Sequence, residues 1–154
     1  MADTSSSADM LDVRDIIERF EELETELQAA MAERFDGLDE PEFTDWAARV
    51  ADSDDPNAPH NVCDDAAEFL TLQSLLGDLA GNGGDEQWRG DWYPLGLIAD
   101  SYFETYAQEF ADDIGAVNQN ASWPNTCIDW EWAARELRTD YSSVEYDGST
   151  FWYR

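Results

Sequence analysis

The residue types that most often carry chemistry are few in this sequence and are poorly spaced for it. His60 and Cys63 form a His-x-x-Cys pair, and Cys127 is the only other cysteine. A zinc site needs about four ligands of these types, so we interpret His60 as an exposed loop residue. The aspartate-rich run 52–55 is followed by residues that break the spacing of a calcium-binding EF-hand. We therefore predict no metal ion and no cofactor.

Motifs of enzyme active sites are also missing from the sequence. It contains no Gly-x-Ser-x-Gly, no phosphate-binding glycine loop and no Cys/His nucleophile pair. The glycine-rich run 81–84 is followed by acidic residues that would repel phosphate, so it is interpreted as a helix stop. With 36 acidic residues, the proximity of two carboxylates does not indicate acid–base catalysis. We predict that the protein is not an enzyme.

The aromatic segment 88–93 could form a platform on which bases stack, but only Arg89 is basic there. Packing between helices is the favoured interpretation. We accordingly expect four tryptophans to be mostly buried: Trp88, Trp92, Trp123 and Trp132.

Regularly spaced carboxylates are the remaining candidate for function. Glu18, Glu22 and Glu26 follow one another at intervals of four residues. On a helix such neighbours lie about 5–6 Å apart at Cβ, which is close to the distance between successive phosphates along a nucleic-acid strand. A protein surface that holds phosphates would accept such a row. We expect these three glutamates to be exposed and not paired with Arg. The predicted partner-binding acidic surface comprises Asp15, Glu18, Glu22, Glu26, Glu33, Glu109, Asp112 and Asp113.

Hydrophobic periodicity indicates the elements that would position these carboxylates. Between residues 10 and 34, apolar residues recur at spacings of three and four, which predicts a long amphipathic helix. Asp147-Gly148 between alternating runs predicts a β-hairpin. The predicted fold class is mainly α (α+β), with long amphipathic acidic helices and a small C-terminal β-hairpin. Further helices are expected after Pro41 and over about 64–80, 95–114 and 129–138.

The chain is divided into a flexible leader (1–9), an N-terminal acidic helical region (10–84) and a C-terminal region (85–154), which we expect to form one compact unit. The leader lacks the basic and apolar segments of a signal peptide, and no apolar stretch approaches membrane-spanning length. Two cysteines are typical of a reducing compartment. These features predict a cytoplasmic protein.

Charge is the dominant feature of the composition. Asp and Glu number 36 against 8 basic residues, giving a net charge of −28, and every basic residue is Arg. Acids outnumber arginines in each third of the chain, so the whole fold must expose carboxylates. This charge equals the phosphate charge of roughly 48 Å of DNA duplex. It would repel nucleic acid and anionic membranes, which leaves basic protein surfaces, polyamines and cations as partners.

Two stretches in the C-terminal third carry a resemblance to a known family: 106–115, YAQEFADDIG, and 128–137, IDWEWAAREL. Over residues 102–154 the chain resembles the C-terminal region of the ArdA antirestriction family, which are acidic DNA mimics of phages and mobile elements. The resemblance implies an ArdA-like region over 85–154, a closing pair of strands and a homodimer. It also implies binding to type I restriction-modification enzymes.

We therefore expect an acidic DNA-mimic inhibitor, encoded by a phage or mobile element, that occupies the DNA-binding groove of a host defence complex. A type I restriction-modification enzyme and a CRISPR effector are the two candidate targets. One alternative is a salt-adapted acidic accessory protein, because such proteins are also acidic and poor in Lys. Another is a small enzyme with an unrecognised carboxylate site.

Overall fold

The computed structural model of the protein describes residues 4–35, 41–52, 60–117, 123 and 125–154. Helices predominate and a smaller antiparallel sheet accompanies them, which confirms the predicted mainly α (α+β) class. The chain divides into two compact units. We call residues 14–78 the helical unit, and residues 1–13 with 79–154 the sheet unit. The first 13 residues therefore group with the C-terminal part of the chain, not with the helices that follow them.

Three helices build the helical unit: α1 (Val13–Phe35), α2 (Phe43–Ala51) and α3 (His60–Leu79). The apolar seam predicted for α1 is confirmed. Five of its six members are buried and Ala30 is half-buried. The carboxylate of Glu42 caps α2 by accepting the backbone N–H of Asp45 at 3.2 Å, which replaces a hydrogen bond that the first helical turn cannot make itself. The buried seam residues are Val13, Ile16, Phe20, Leu23 and Leu27.

Phe69 on α3 joins all three helices of the helical unit. Its ring stacks on Phe20 of α1 with centroids 4.8 Å apart, and meets Phe43 of α2 edge-on at 5.4 Å. Such aromatic pairs contribute about 0.5–1.5 kcal/mol beyond the area that they bury. The three helices thus share one aromatic core.

Helix α3 starts earlier than its apolar pattern predicts. It begins at His60 and not near Asp64, so the interpretation of His60 as a loop residue was wrong. The first helical turn needs no apolar residue, because its N–H groups have no intrahelical acceptors. Polar residues can therefore begin a helix that periodicity alone does not reveal. Its end at Leu79 agrees with the stop predicted from the glycine run.

In the part of the sheet unit that the structure describes there are six strands and two α-helices. A four-stranded antiparallel sheet has the order β1-β4-β6-β5, and β2 with β3 forms a separate ribbon. Helices α4 and α5 pack against each other. The bounds are β1 (Met10–Asp12), β2 (Glu86–Trp88), β3 (Asp91–Tyr93), β4 (Gly96–Ala99), α4 (Phe103–Asp113), α5 (Trp130–Arg138), β5 (Ser142–Tyr146) and β6 (Ser149–Tyr153).

The helix predicted over 95–114 is a strand followed by a helix. Ile98 of β4 pairs with Met10 on one side and with Trp152 on the other, and α4 begins only at Phe103. A short apolar run does not distinguish a strand from a buried helix. Ile114 is 61 % exposed because α4 ends just before it.

The residues before the first helix are also bound to the sheet. Strand β1 occupies positions assigned to the start of that helix. The carbonyl of Asp9 accepts the backbone N–H of Ala99 at 2.9 Å, and the carbonyl of Thr4 accepts the hydroxyl of Tyr146. Two residues of the predicted flexible leader, Thr4 and Asp9, are therefore hydrogen-bonded to residues of the sheet.

Both hairpins turn through residues with positive φ. The predicted C-terminal hairpin is confirmed, with φ of 48° at Asp147 and 80° at Gly148. The segment 85–94 contains a second hairpin, with φ of 48° at Arg89 and 84° at Gly90. Two left-handed residues in a row match the right-handed twist of the strands.

The prediction that four tryptophans are buried was wrong for three of them. Trp92 is 47 %, Trp123 77 % and Trp132 56 % exposed, whereas Trp88 is half-buried. Successive residues of a strand point to opposite faces, so Trp92 faces away from Trp88 and Tyr93, whose rings lie 5.8 Å apart. Helix α5 buries Ala134 and leaves Trp132 on its outer side.

One core cluster of the sheet unit joins the sheet to α4 and α5. Ile98, Phe103, Ala107 and Ala134 are its buried residues. The hydroxyls of Tyr106 and Tyr141 share a hydrogen bond of 2.7 Å at the margin of this cluster. Burial and this bond raise the pKa of Tyr106 above its ordinary value.

Gly83 lies where the neighbouring backbone leaves no room for a side chain. A Cβ at this position would lie 2.0 Å from the backbone N of Pro94, whereas a Cβ on Gly84 would meet nothing within 4 Å. We expect Gly83→Ala to destabilise the sheet unit by about 3 kcal/mol through overpacking. The matched Gly84→Ala should stay within about 0.5 kcal/mol of the parent. Urea unfolding followed by circular dichroism measures both, and equal stabilities would contradict the close approach.

The raised pKa of Tyr106 predicts that the protein loses stability at alkaline pH. The unfolded phenol ionises near pH 10, but its raised folded-state pKa keeps it protonated in the native protein. The contribution of this phenol to the free energy of unfolding is therefore complete below about pH 10. It is lost as pH rises through the folded-state pKa of Tyr106. Urea midpoints measured between pH 8 and 11 should fall more steeply for the parent than for Tyr106→Phe. Parallel pH profiles would show that Tyr106 titrates normally.

Candidate acidic interaction surface

The outer side of α1 carries the predicted row of carboxylates. Glu18, Glu22 and Glu26 are all exposed, opposite the buried apolar seam. Glu33 is exposed nearer the end of the helix, and Asp15 is half-buried in its first turn. At about 100° per residue, these five positions fall on one side of the helix. The predicted exposure of the three central glutamates is confirmed.

The row is long enough to follow several nucleotides of a strand. At 1.5 Å per residue, Asp15 to Glu33 spans roughly 27 Å of helix axis, which equals about eight nucleotides at 3.4 Å each. Five carboxylates thus stand along the length of about eight phosphates. Side chains beside the row increase its charge. A shallow depression of about 420 Å³ is lined by Glu18, Glu21, Glu22, Thr25 and Glu26.

Arg19 is the one basic residue inside the row, and most of its bonding is directed to α3. Its Nε and Nη2 donate to the two carboxylate oxygens of Glu68 at 2.9 Å each. This bidentate bond raises the pKa of Arg19 above the ordinary value of a guanidinium. Nη1 also lies 3.6 Å from Glu22. The prediction that none of the three glutamates pairs with Arg was therefore wrong for Glu22, because Glu68 holds the guanidinium beside it.

The other three predicted residues lie on α4, in the sheet unit. Glu109 accepts hydrogen bonds from the hydroxyl of Tyr102 at 2.9 and 3.0 Å, and this contact raises the pKa of the phenol. Asp112 and Asp113 are exposed in the last turn of the helix. Anions there oppose the helix dipole by about 0.3–1 kcal/mol each, so these two aspartates do not stabilise α4.

The described residues give no geometric support for a metal site or a reactive thiol. Within the described residues, no group of three or more His, Cys, Asp or Glu side chains could hold a metal ion. Cys63 is a half-buried free thiol and Cys127 an exposed one. The aspartate-rich run 53–55 lies outside the described residues. Nor do the described ranges contain a helix long and apolar enough to cross a membrane.

No family model, curated protein or solved structure matches this chain. The resemblance to the ArdA family over residues 102–154 therefore remains a prediction.

Sequence reasoning missed Trp132 as a surface residue because it assigned tryptophan to the core by residue type. The signal was present in the predicted helix. Asp129 caps α5, accepting the backbone N–H of Trp132 at 3.1 Å. From that start, Ala134 and Leu137 define the inner side, and Trp132 falls on the outer side together with Glu131 and Arg135.

The bond between Arg19 and Glu68 predicts which carboxylates stabilise the helical unit. Glu68→Gln should destabilise the protein by about 1–2 kcal/mol, because it weakens a charge-assisted, partly exposed contact between α1 and α3. Glu22→Gln removes the same charge but only a loose 3.6 Å contact, so its effect should stay within about 0.5 kcal/mol. Thermal and urea unfolding of both variants test this. Equal losses would show that Glu68 has no special role.

Proposed function

We propose that this protein is a DNA-mimic inhibitor that binds the DNA groove of a nucleic-acid-handling protein of a host defence system. The observation that carries the proposal is the row of carboxylates on α1, four exposed and one half-buried, spread over roughly 27 Å. A groove that binds phosphates places Lys and Arg at intervals along its length. A helix with carboxylates at regular intervals offers such side chains comparable partners.

Rigidity of the row supports this function. The seam on the opposite side of α1 is buried, Phe20 stacks on Phe69, and Arg19 clamps Glu68. Charges on such a helix keep their spacing when a partner approaches, so little conformational entropy is lost on binding. Long-range attraction between the net charge of −28 and a basic groove would speed association and make it sensitive to salt.

The choice of a defence complex comes from the resemblance of residues 102–154 to the ArdA family. Type I restriction-modification enzymes are the target class that this resemblance implies. CRISPR effectors also hold nucleic acid in positively charged channels and are a second target class. The protein would act without making or breaking a covalent bond, as a homodimer if the family pattern extends to this chain.

Salt adaptation is the competing explanation, and it is favoured by the spread of acidic residues over both units and by the absence of Lys. Such a protein needs surface charge but no particular partner. It should lose stability at low salt, whereas a mimic should bind its partner best there. Stability and binding measured across the same range of salt concentrations therefore separate the two functions.

Charge reversal on α1 provides the direct test. We expect the triple variant Glu18→Lys, Glu22→Lys and Glu26→Lys to compete with DNA at least about tenfold less well for a type I restriction or CRISPR complex, a loss of about 1.4 kcal/mol. Fluorescence anisotropy of labelled DNA at several salt concentrations measures the competition. Circular dichroism confirms that the variant is folded.

A matched triple variant controls for net charge. Asp85, Glu104 and Asp140 are exposed residues of the sheet unit outside the predicted surface, and their replacement by Lys changes the net charge equally. Competition should fall less in this variant than in the α1 variant. Equal losses would indicate bulk charge without a specific row. If the parent displaces DNA from neither class of complex at low salt, the proposed function is wrong.

A further inference from the structure

We infer that the outer side of helix α5 is a binding site for arginine side chains of a basic partner protein. In this site the Trp132 ring stacks on the guanidinium and the Glu131 carboxylate pairs with it. The inference rests on the proposed function in one respect, namely that the partner presents a basic surface. It adds a residue preference that the carboxylate row on α1 does not provide.

The position of Trp132 is the first observation. Its side chain is 56 % exposed on a helix whose inner side already supplies Ala134 to the buried core. The fold therefore gains little from a tryptophan at this position. Exposed aromatic residues that anchor a contact are typical of protein interfaces, where tryptophan and arginine dominate the binding energy.

A guanidinium already occupies this site from within the chain. The guanidinium carbon of Arg135 lies 5.7 Å from the centroid of the Trp132 ring, and its Nη2 lies 3.7 Å from Oε1 of Glu131. The Trp132 ring and the Glu131 carboxylate thus contact one cation together. The ring makes a cation–π contact with it and the carboxylate attracts it by charge. A partner arginine would find the same two groups.

The internal contact is loose enough to be exchanged. Both distances are near the outer limits of about 6 Å for a cation–π contact and about 4 Å for an ion pair. The Arg135 side chain is 64 % and the Glu131 side chain 78 % exposed. Arg138 on the same helix differs. It lies 4.7 Å from the centroid of Phe103 and 3.3 Å from the Asp100 carboxylate, with 24 % exposure, so that arginine is structural.

The geometry favours arginine over lysine as the incoming residue. A guanidinium is planar and weakly hydrated, so it can stack on an indole while its N–H groups reach a carboxylate. An ammonium is compact and strongly hydrated, and gains less from the ring. The carboxylates of α1 attract both cations, whereas Trp132 distinguishes between them.

The test uses the full chain and two peptides of equal length, one alternating glycine with arginine and the other glycine with lysine. Calorimetry at low salt gives the affinity for each. Trp132→Ala should weaken binding of the arginine peptide about two- to fivefold, the factor expected for one exposed cation–π contact, and leave the lysine peptide nearly unchanged. Trp92→Ala, which removes another half-exposed indole, should change neither affinity.

A second pair of variants tests the exchange of Arg135. Arg135→Gln should strengthen binding of the arginine peptide, because it removes the internal competitor. Arg49→Gln is the matched control, since Arg49 is also an exposed helical arginine and its Nε donates to the Asp45 carbonyl at 3.4 Å. Equal gains from the two variants, or equal losses from the two tryptophan variants, would overturn the site.

This outcome is separable from that of the proposed function. The peptides report on Trp132 whether or not the protein displaces DNA from a defence complex. A preference for arginine that depends on Trp132, without DNA competition, would retain the site and reject the mimic. DNA competition without that preference would retain the mimic and reject the site.

Discussion

Repulsion among carboxylates acts on every element of this protein, and apolar burial must outweigh it in each unit. A fully buried Leu, Ile or Phe contributes about 1.5–3 kcal/mol, whereas two like charges one helical turn apart cost only a few tenths. A helix can therefore carry many exposed carboxylates if its apolar side is complete, as it is in α1. Within the described residues no Asp or Glu is buried, so none of these charges bears the larger cost of removal from water.

Two arginines are placed where one cation joins two elements. Arg19 joins α1 to α3 through both oxygens of Glu68. Arg138 joins α5 to the turn before α4, because it pairs with Asp100 and covers the Phe103 ring. The indole N–H of Trp152 donates to the same Asp100 carboxylate at 2.9 Å, which brings β6 into the contact. Arg135 is different, since both of its contacts lie within α5 and are loose.

Features set by neighbours in the chain were predictable, and features set by distant partners were not. The seam of α1, the helix that follows Asp129 and the Asp147-Gly148 turn depend on local spacing and turn chemistry, and all three agree with the sequence. Strand β4 depends on pairing with β1 and β6, which lie far away in the sequence, so its apolar run was mistaken for a helix. In the candidate surface, the exposure of the α1 row followed from periodicity. The contact of Glu22 with Arg19 did not, because Glu68 on another helix positions that guanidinium.

Order in the placement of the charges supports mimicry over salt adaptation. Salt adaptation requires that carboxylates be numerous and hydrated, and any exposed position serves that purpose. The five members of the α1 row stand on a helix that buried residues hold in place, so their spacing is fixed, which salt adaptation does not require. Asp112 and Asp113 stand at the end of α4 that disfavours anions, so local stability does not account for them either. A partner whose basic groups have fixed spacing is the condition under which both arrangements are useful.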